Sequence, residues 1–97
     1  YTGRACVLST PGDGSRLRPG DVLIAPAVSP GWGPLLLAAG ALVTEIGGLL
    51  SHGAIIAREY GLPAVLNVPD VVTCIQPGQW VQVDGSQGTV RLLEGEA

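Results

Sequence analysis

The chain has 97 residues, of which 46% are hydrophobic and 13% charged, and its formal net charge is −3. This length supports one small domain with a two-layer core, and the composition is that of a globular chain rather than a disordered one. All five cations are arginines scattered along the sequence, so we expect no nucleic-acid partner. The longest helical apolar stretch, residues 34–43, is too short to cross a bilayer, and no signal peptide precedes it.

The first half of the chain predicts three strands and one helix. Apolar runs predict the strands at residues 4–9, 22–27 and 42–46. Residues 10–20 are rich in Gly and Pro and predict a loop between the first two strands. Pro34 suits the first turn of a helix that continues to Ala39 and ends at Gly40. The pair Gly47-Gly48 ends the third strand.

The second half predicts one clear helix and three further strands. Ser51 is a suitable N-cap for a helix from His52 to Tyr60, with Gly61 as its stop signal and Pro63 just beyond. Further strands are predicted at 63–68, 80–84 and 89–93, and one helical turn at 70–75 that Asp70 would cap. This order predicts an α/β fold, a small single-domain sandwich of sheet and short helices.

The two cysteines, Cys6 and Cys74, do not have the spacing of metal ligands. We expect both to be buried free thiols, as is typical of a cytosolic protein, and we predict a cytoplasmic location. The chain begins at Tyr1 and ends in a polar tail. Residues 1–97 are therefore expected to form one domain cut from a longer protein, although a processed N-terminus would give the same sequence.

His52 is the only histidine, and it lies where the glycine-rich segment opens into the predicted helix. The N-terminal end of a helix favours negative charge by roughly 0.3–1 kcal/mol. A cationic imidazole is disfavoured there, whereas a phosphorylated one is stabilised, and covalent catalysis through a histidine nucleophile fits this polarity. Gly47 and Gly48 allow a tight backbone turn, and Ser51 offers a hydroxyl beside the ring.

Other roles for His52 are weighed against this one. A lone histidine is most often structural, and metal binding lacks a second ligand nearby. The adjacent Ser51 does not form a nucleophile–base pair with it. Ile55, Ile56 and Tyr60 are predicted to pack the helix on the sheet. Arg58 lies about 120° around the helix from His52, so we interpret it as a salt-bridge or docking residue rather than a phosphate ligand.

Several segments, in order along about 70 residues, resemble one family, the mobile phosphohistidine domain of PEP-utilising enzymes. Its members include phosphoenolpyruvate synthase, pyruvate phosphate dikinase, enzyme I of the sugar phosphotransferase system and rifampicin phosphotransferase. The matching segments are Gly20–Pro26, Ser29–Leu35, Val43-Thr44 with Gly47-Gly48, Ser51–Val65, Gly78-Gln79 and Val83–Gly85. The Pro-Gly-Trp and Ser-His-Gly-Ala patterns favour the rifampicin-phosphotransferase-like and PEP-synthase-like members.

The resemblance implies a swivelling β/β/α fold in which His52 carries a phosphoryl group between two active sites. Ser51, Gly47, Gly48 and Gly53 would support the phosphate. The two sites would belong to other domains of the same enzyme, an ATP-grasp-like nucleotide-binding domain and a PEP/pyruvate or other acceptor domain. Mg²⁺ with ATP or PEP is implied in those domains, and no cofactor or metal in this one. The chain alone is not expected to complete a turnover.

Two departures from the family pattern leave alternatives open. Leu50 replaces a common Thr, and Gly33 replaces a Thr or acidic residue that can lie near the phosphohistidine. These changes favour the alternative of a catalytically silent homologue that acts as an interaction or regulatory module. A third hypothesis is an unrelated small enzyme with His52 as a general base. Trp32 is predicted either to line a docking groove or to cover the core, and Thr44 to be a strand residue.

Overall fold

The computed structural model describes residues 1–28, 30–46 and 52–93, with the backbone alone for Pro11, Asp13, Gly14, Pro30, His52 and Gly53. The strands are β1 (Thr2–Val7), β2 (Val22–Ala25), β3 (Ala41–Thr44), β4 (Ala64–Val65), β5 (Trp80–Asp84) and β6 (Thr89–Leu93). The helices are α1 (Gly33–Ala38), α2 (His52–Tyr60) and α3 (Val71–Cys74), with 3-10 helices at Pro11–Arg16 and Pro30–Trp32.

The six strands form one mixed sheet in the order β4-β3-β2-β1-β5-β6. The first four strands along the chain are parallel, whereas β5 is antiparallel to β1 and β6 to β5. Parallel neighbours need crossover connections, and the 3-10 helix at Pro11–Arg16, α1 and α2 lie in these three connections. These helices therefore lie in the segments that connect the parallel strands.

Apolar side chains fill both faces of the parallel strands, as expected for a sheet covered on both sides. One face packs against the helices, in a buried cluster that includes Leu8, Leu23, Trp32, Leu36 and Leu42. The other face packs against α3 and β5, in a cluster that includes Val22, Ile24, Val43, Val71 and Val81. The two clusters give three layers where the chain length predicted two, and this arrangement agrees with the β/β/α fold that the family resemblance implies.

The sheet curls so that the turn after β5 contacts β4 at the far edge. A Cβ atom at Gly85 would lie 3.2 Å from the backbone nitrogen of Ala64 and 3.3 Å from its carbonyl oxygen. Both distances are tighter than ordinary packing, so a residue without a side chain fits best here. This contact brings β5 over the parallel strands. Val83 of β5 and Val65 of β4 therefore belong to the same buried cluster.

The carboxylate of Asp84 organises this same turn. Its Oδ1 accepts hydrogen bonds from the Ser86 hydroxyl at 2.7 Å and from the backbone N–H groups of Ser86 and Gln87, both at 3.1 Å. These bonds, the hydroxyl bond first, lower the pKa of Asp84 below its usual value of 3.8. The unfolded chain therefore binds this proton more tightly than the folded chain does.

We expect acid to destabilise the wild-type chain more than the Asp84→Asn variant. The contribution of the Asp84 carboxylate is complete above its unfolded pKa of about 4 and is lost as the pH falls through its lower folded pKa. Thermal unfolding midpoints at pH 7 and pH 3 measure the effect, with Glu59→Gln on the exposed surface of α2 as the charge-matched control. An equal acid-induced drop in wild type and Asp84→Asn would contradict the prediction.

The strand bounds differ from the sequence prediction at both ends of the parallel half. β1 begins at Thr2, two residues earlier than predicted, because its first three residues pair with β5. β4 has two residues rather than the six predicted for 63–68. Asn67 has a φ of +62°, which is incompatible with an extended strand.

Two side chains also differ from their predicted roles. Asp70 is the N-cap residue of α3 but makes no side-chain cap bond, and its φ is +60°. Its backbone carbonyl instead accepts hydrogen bonds from the Thr73 hydroxyl at 3.0 Å and the Thr73 N–H at 3.1 Å. Cys6 is a buried free thiol as predicted, whereas Cys74 is exposed, so that half of the prediction was wrong.

Candidate functional site

The helix α2 begins at His52, the position predicted from the sequence. It connects β3 to β4, so its start follows the carboxyl end of β3. In sheets of parallel strands, this edge is the usual location of binding sites. The side chains of His52 and Gly53 and all of residues 47–51, including Gly47, Gly48 and Ser51, lie outside the described residues.

Small residues form the buried side of α2. Ala54 and Ala57 are 7% and 4% exposed, and Ile56 is half-buried against the helix-side core. Ile55 and Tyr60 are 42% and 47% exposed, so the prediction that these two pack on the sheet was wrong. Three-residue spacing of alanines lets the helix approach the sheet closely, and it turns the larger side chains outward.

Thr44, the last residue of β3, has an unusual environment for a polar side chain. It is confirmed as a strand residue and is 1% exposed. Its carbonyl accepts the Val68 N–H at 2.9 Å, but its hydroxyl has no hydrogen-bond partner within the part of the chain that the structure describes. The alternation along β3 places Thr44 on the helix side with Leu42, since Val43 packs in the opposite core.

We expect Thr44→Val to raise the free energy of unfolding by about 1 kcal/mol, because a buried unsatisfied hydroxyl costs about 1–3 kcal/mol. Chemical denaturation of the two proteins measures the change. Thr44→Ser is the matched control, since it keeps the hydroxyl but loses a buried methyl group and should be less stable than wild type. A clear loss of stability in Thr44→Val would show that the hydroxyl has a partner in the folded chain.

The remaining predicted site residues are the two docking candidates, Trp32 and Arg58. Trp32 is 4% exposed and belongs to the helix-side core, so the interpretation in which it covers the core fits its burial. Arg58 is exposed and lines an open cleft of about 730 Å³ between α2 and the β5–β6 turn, together with Gln82 and Ser86.

The described residues also bear on two other classes of site. Among residues 1–28, 30–46 and 52–93, no group of three or more His, Cys, Asp or Glu side chains could hold a metal ion. No helix within these ranges combines the length and apolarity that crossing a membrane requires.

The fold and the placement of α2 define a small α/β domain with a curled mixed sheet and a histidine at the first position of a helix. The family described as "PEP-utilising enzyme, mobile domain" matches residues 17–88. The chain belongs to this family. The predicted family is therefore confirmed.

Comparison with known proteins shows where such domains occur. The chain is 46% identical over 91 residues to rifampicin phosphotransferase of Bacillus cereus, covering 94% of this chain and 10% of that protein. It is 43% identical over 75 residues to phosphoenolpyruvate synthase of Aeropyrum pernix, covering 77% and 9%. The chain thus spans about a tenth of the length of these relatives, and the family domain is one part of larger phosphotransferases.

A solved structure supports the fold independently. The solution structure of Enzyme I (nEIt) superposes with a TM-score of 0.72 at 31% sequence identity. The match covers 87% of this chain and 35% of that one. The predicted α/β fold is confirmed by this likeness and by the curled sheet of the chain itself.

Proposed function

We propose that this chain is the phosphoryl-carrier domain of a multidomain phosphotransferase, with His52 as the residue that is phosphorylated. The main support is that α2 begins at His52. The N-terminal end of an α-helix stabilises anions through its dipole and its oriented N–H groups. A phosphoryl group attached at this position would gain that stabilisation, whereas a cationic imidazole would lose it.

The chemistry consists of two transfers through the imidazole. In the first, the lone pair of an unprotonated ring nitrogen forms a P–N bond while the P–O bond to the leaving group of the donor breaks. In the second, an oxygen of the acceptor forms a new P–O bond, and the electron pair of the P–N bond returns to the ring. Each transfer conserves the phosphoryl group, and the histidine is regenerated after the second.

Residues around the start of α2 would support the phosphorylated ring. Gly47 and Gly48 allow the backbone to approach, and Ser51 and Gly53 flank the histidine in sequence. The buried hydroxyl of Thr44, which has no hydrogen-bond partner among the described residues, would be an additional donor on the strand that leads into this segment. We include Thr44 in the proposed site as a positioning residue.

The partners would be other domains of the same protein. We propose a nucleotide-binding, ATP-grasp-like domain at one site and a PEP/pyruvate or other acceptor domain at the other, with Mg²⁺ bound there alongside ATP or PEP. Both would lie in the cytoplasm. Ile46 and Ile55, which flank the glycine-rich segment in sequence, are 68% and 42% exposed, and they would offer apolar contacts to docking domains. Arg58 would contribute a polar docking contact.

The full-length protein, incubated with radiolabelled ATP or PEP, tests the proposal. We expect a phosphate that is labile to acid and stable to alkali, and that maps to the peptide containing residues 47–58. The donor that labels the protein identifies the donor site. An acid-stable label, or a label on another peptide, would overturn the proposal. Absence of label from both donors would favour the silent interaction module that Gly33 and Leu50 suggest.

A further inference from the structure

Three of the five arginines meet at one pocket, although they are scattered in the sequence. Arg4 belongs to β1, whereas Arg16 and Arg18 belong to the segment that connects β1 to β2. With Cys6, Asp21 and Gly78 they line a pocket of about 260 Å³. This volume is several times the roughly 30 Å³ that a water molecule occupies in the liquid, so the pocket has room for a small ligand.

Hydrogen bonds hold two walls of this arginine pocket in place. The Asp21 carboxylate, on a residue that is 9% exposed, accepts the backbone N–H of Arg18 at 3.0 Å. The Gly78 N–H donates to the Ala5 carbonyl at 2.9 Å and fixes the opposite wall against β1. The backbone positions from which Arg4 and Arg18 extend are therefore set by the fold.

The charge balance in the arginine pocket is positive. Three arginines and one acidic residue, Asp21, line it, and their formal charges sum to +2 within a chain of net charge −3. Burial raises the pKa of the Cys6 thiol, and so does the nearby negative charge of Asp21, whereas the positive charge of Arg16 lowers it by less. Because the pKa is raised overall, Cys6 adds no negative charge at neutral pH. An uncompensated charge of this size favours a dianion.

The arginine pocket lies away from the start of α2. The strand β2 separates β1 from β3 in the sheet, which corresponds to about 10 Å at the usual strand spacing. Arg18 and Asp21 precede the amino end of β2, whereas His52 follows the carboxyl end of β3. Thr44, the proposed positioning residue that the structure describes in full, does not line this pocket.

We propose that the arginine pocket binds a small phosphorylated anion at a site separate from His52. Guanidinium groups bind phosphate oxygens through pairs of parallel hydrogen bonds, and arginine is the residue best suited to this geometry. A phosphate monoester or diphosphate carries the charge of −2 or more that balances the lining residues. The site goes beyond the proposed carrier function and does not depend on it.

An NMR titration of the chain with sodium pyrophosphate, at ionic strength held constant with NaCl, tests the proposal. We expect saturable shifts of the backbone amides of residues 4–7, 16–21 and 78–79. Arg16→Gln and Arg18→Gln should each weaken binding about tenfold, the effect of one hydrogen bond to a charged group. Arg91→Gln, the matched control on β6, should change the affinity by less than about twofold.

Two further variants separate binding in the arginine pocket from binding elsewhere on the chain. His52→Ala should bind pyrophosphate as wild type does, because the arginine pocket does not involve α2. Arg16→Lys keeps the positive charge but lacks the planar guanidinium group that can form two parallel hydrogen bonds to a phosphate. This variant should bind pyrophosphate more weakly than wild type does. Shifts that do not saturate, that depend equally on Arg91, or that centre on the start of α2 would overturn the proposal. The same spectra show whether each variant is folded.

Discussion

Replacing His52 with alanine is expected to lower phosphoryl transfer by the full-length protein at least about 10³-fold, the scale at which loss of a covalent nucleophile acts. The chain has one histidine, so no second imidazole in this domain could accept the group. Both half-reactions should fail, since under the proposed function donor and acceptor each exchange phosphate with the same ring. Isotope exchange between donor and product, measured separately for each half-reaction, detects this loss.

The control for this experiment is a variant that leaves the proposed site intact. Arg91→Ala on β6 changes an exposed residue that is not part of the proposed site and should retain wild-type transfer. His52→Ala should also keep the thermal unfolding midpoint of the wild type within a few degrees, because alanine has the highest helix propensity of all residues. Transfer by a folded His52→Ala protein at more than a tenth of the wild-type rate would show that phosphate travels through another residue.

The helix that contains this histidine could be predicted from the sequence because its signals are local. The glycine pair and Ser51 precede it, Gly61 follows it with a φ of +64°, and Pro63 prevents its continuation. The predicted bounds, His52 to Tyr60, agree with the structure. These local signals also make His52 the candidate site residue, because they place it at the first position of the helix.

The orientation of α2 could not be predicted in the same way. Ile55, Ile56 and Tyr60 offer more apolar area than Ala54 and Ala57, so the sequence favours the larger side chains as the packed face. The structure reverses this because α2 lies close to the sheet, where small side chains fit. Packing distance depends on the neighbouring elements, which a helix's own sequence does not contain.

The arginine pocket shows the same limit for a binding site. The five arginines have no spacing that predicts a cluster, and they form no basic stripe along the sequence. The crossover from β1 to β2 brings Arg16 and Arg18 back beside Arg4. Likewise, Thr44 could be predicted to lie in a strand, but the burial of its hydroxyl, which has no partner among the described residues, depends on tertiary packing.

Leu23→Ala should lower the free energy of unfolding by about 2–5 kcal/mol, the cost of removing a fully buried leucine side chain. Leu23 is 0% exposed and pairs with Cys6 on β1 and Leu42 on β3. Its side chain belongs to the cluster beneath Trp32 and Leu36, so the cavity would open where the helix layer meets the sheet. Urea denaturation followed by circular dichroism measures the loss.

The matched control for Leu23→Ala is Leu37→Ala, because Leu37 follows the buried Leu36 on α1 but is 71% exposed. The same chemical change there should alter the free energy of unfolding by less than about 0.5 kcal/mol. Equal losses in the two variants would show that α1 does not cover the sheet through Leu36. A large loss in Leu23→Ala alone would confirm that the helix-side core supports the layer on which α2 and His52 depend.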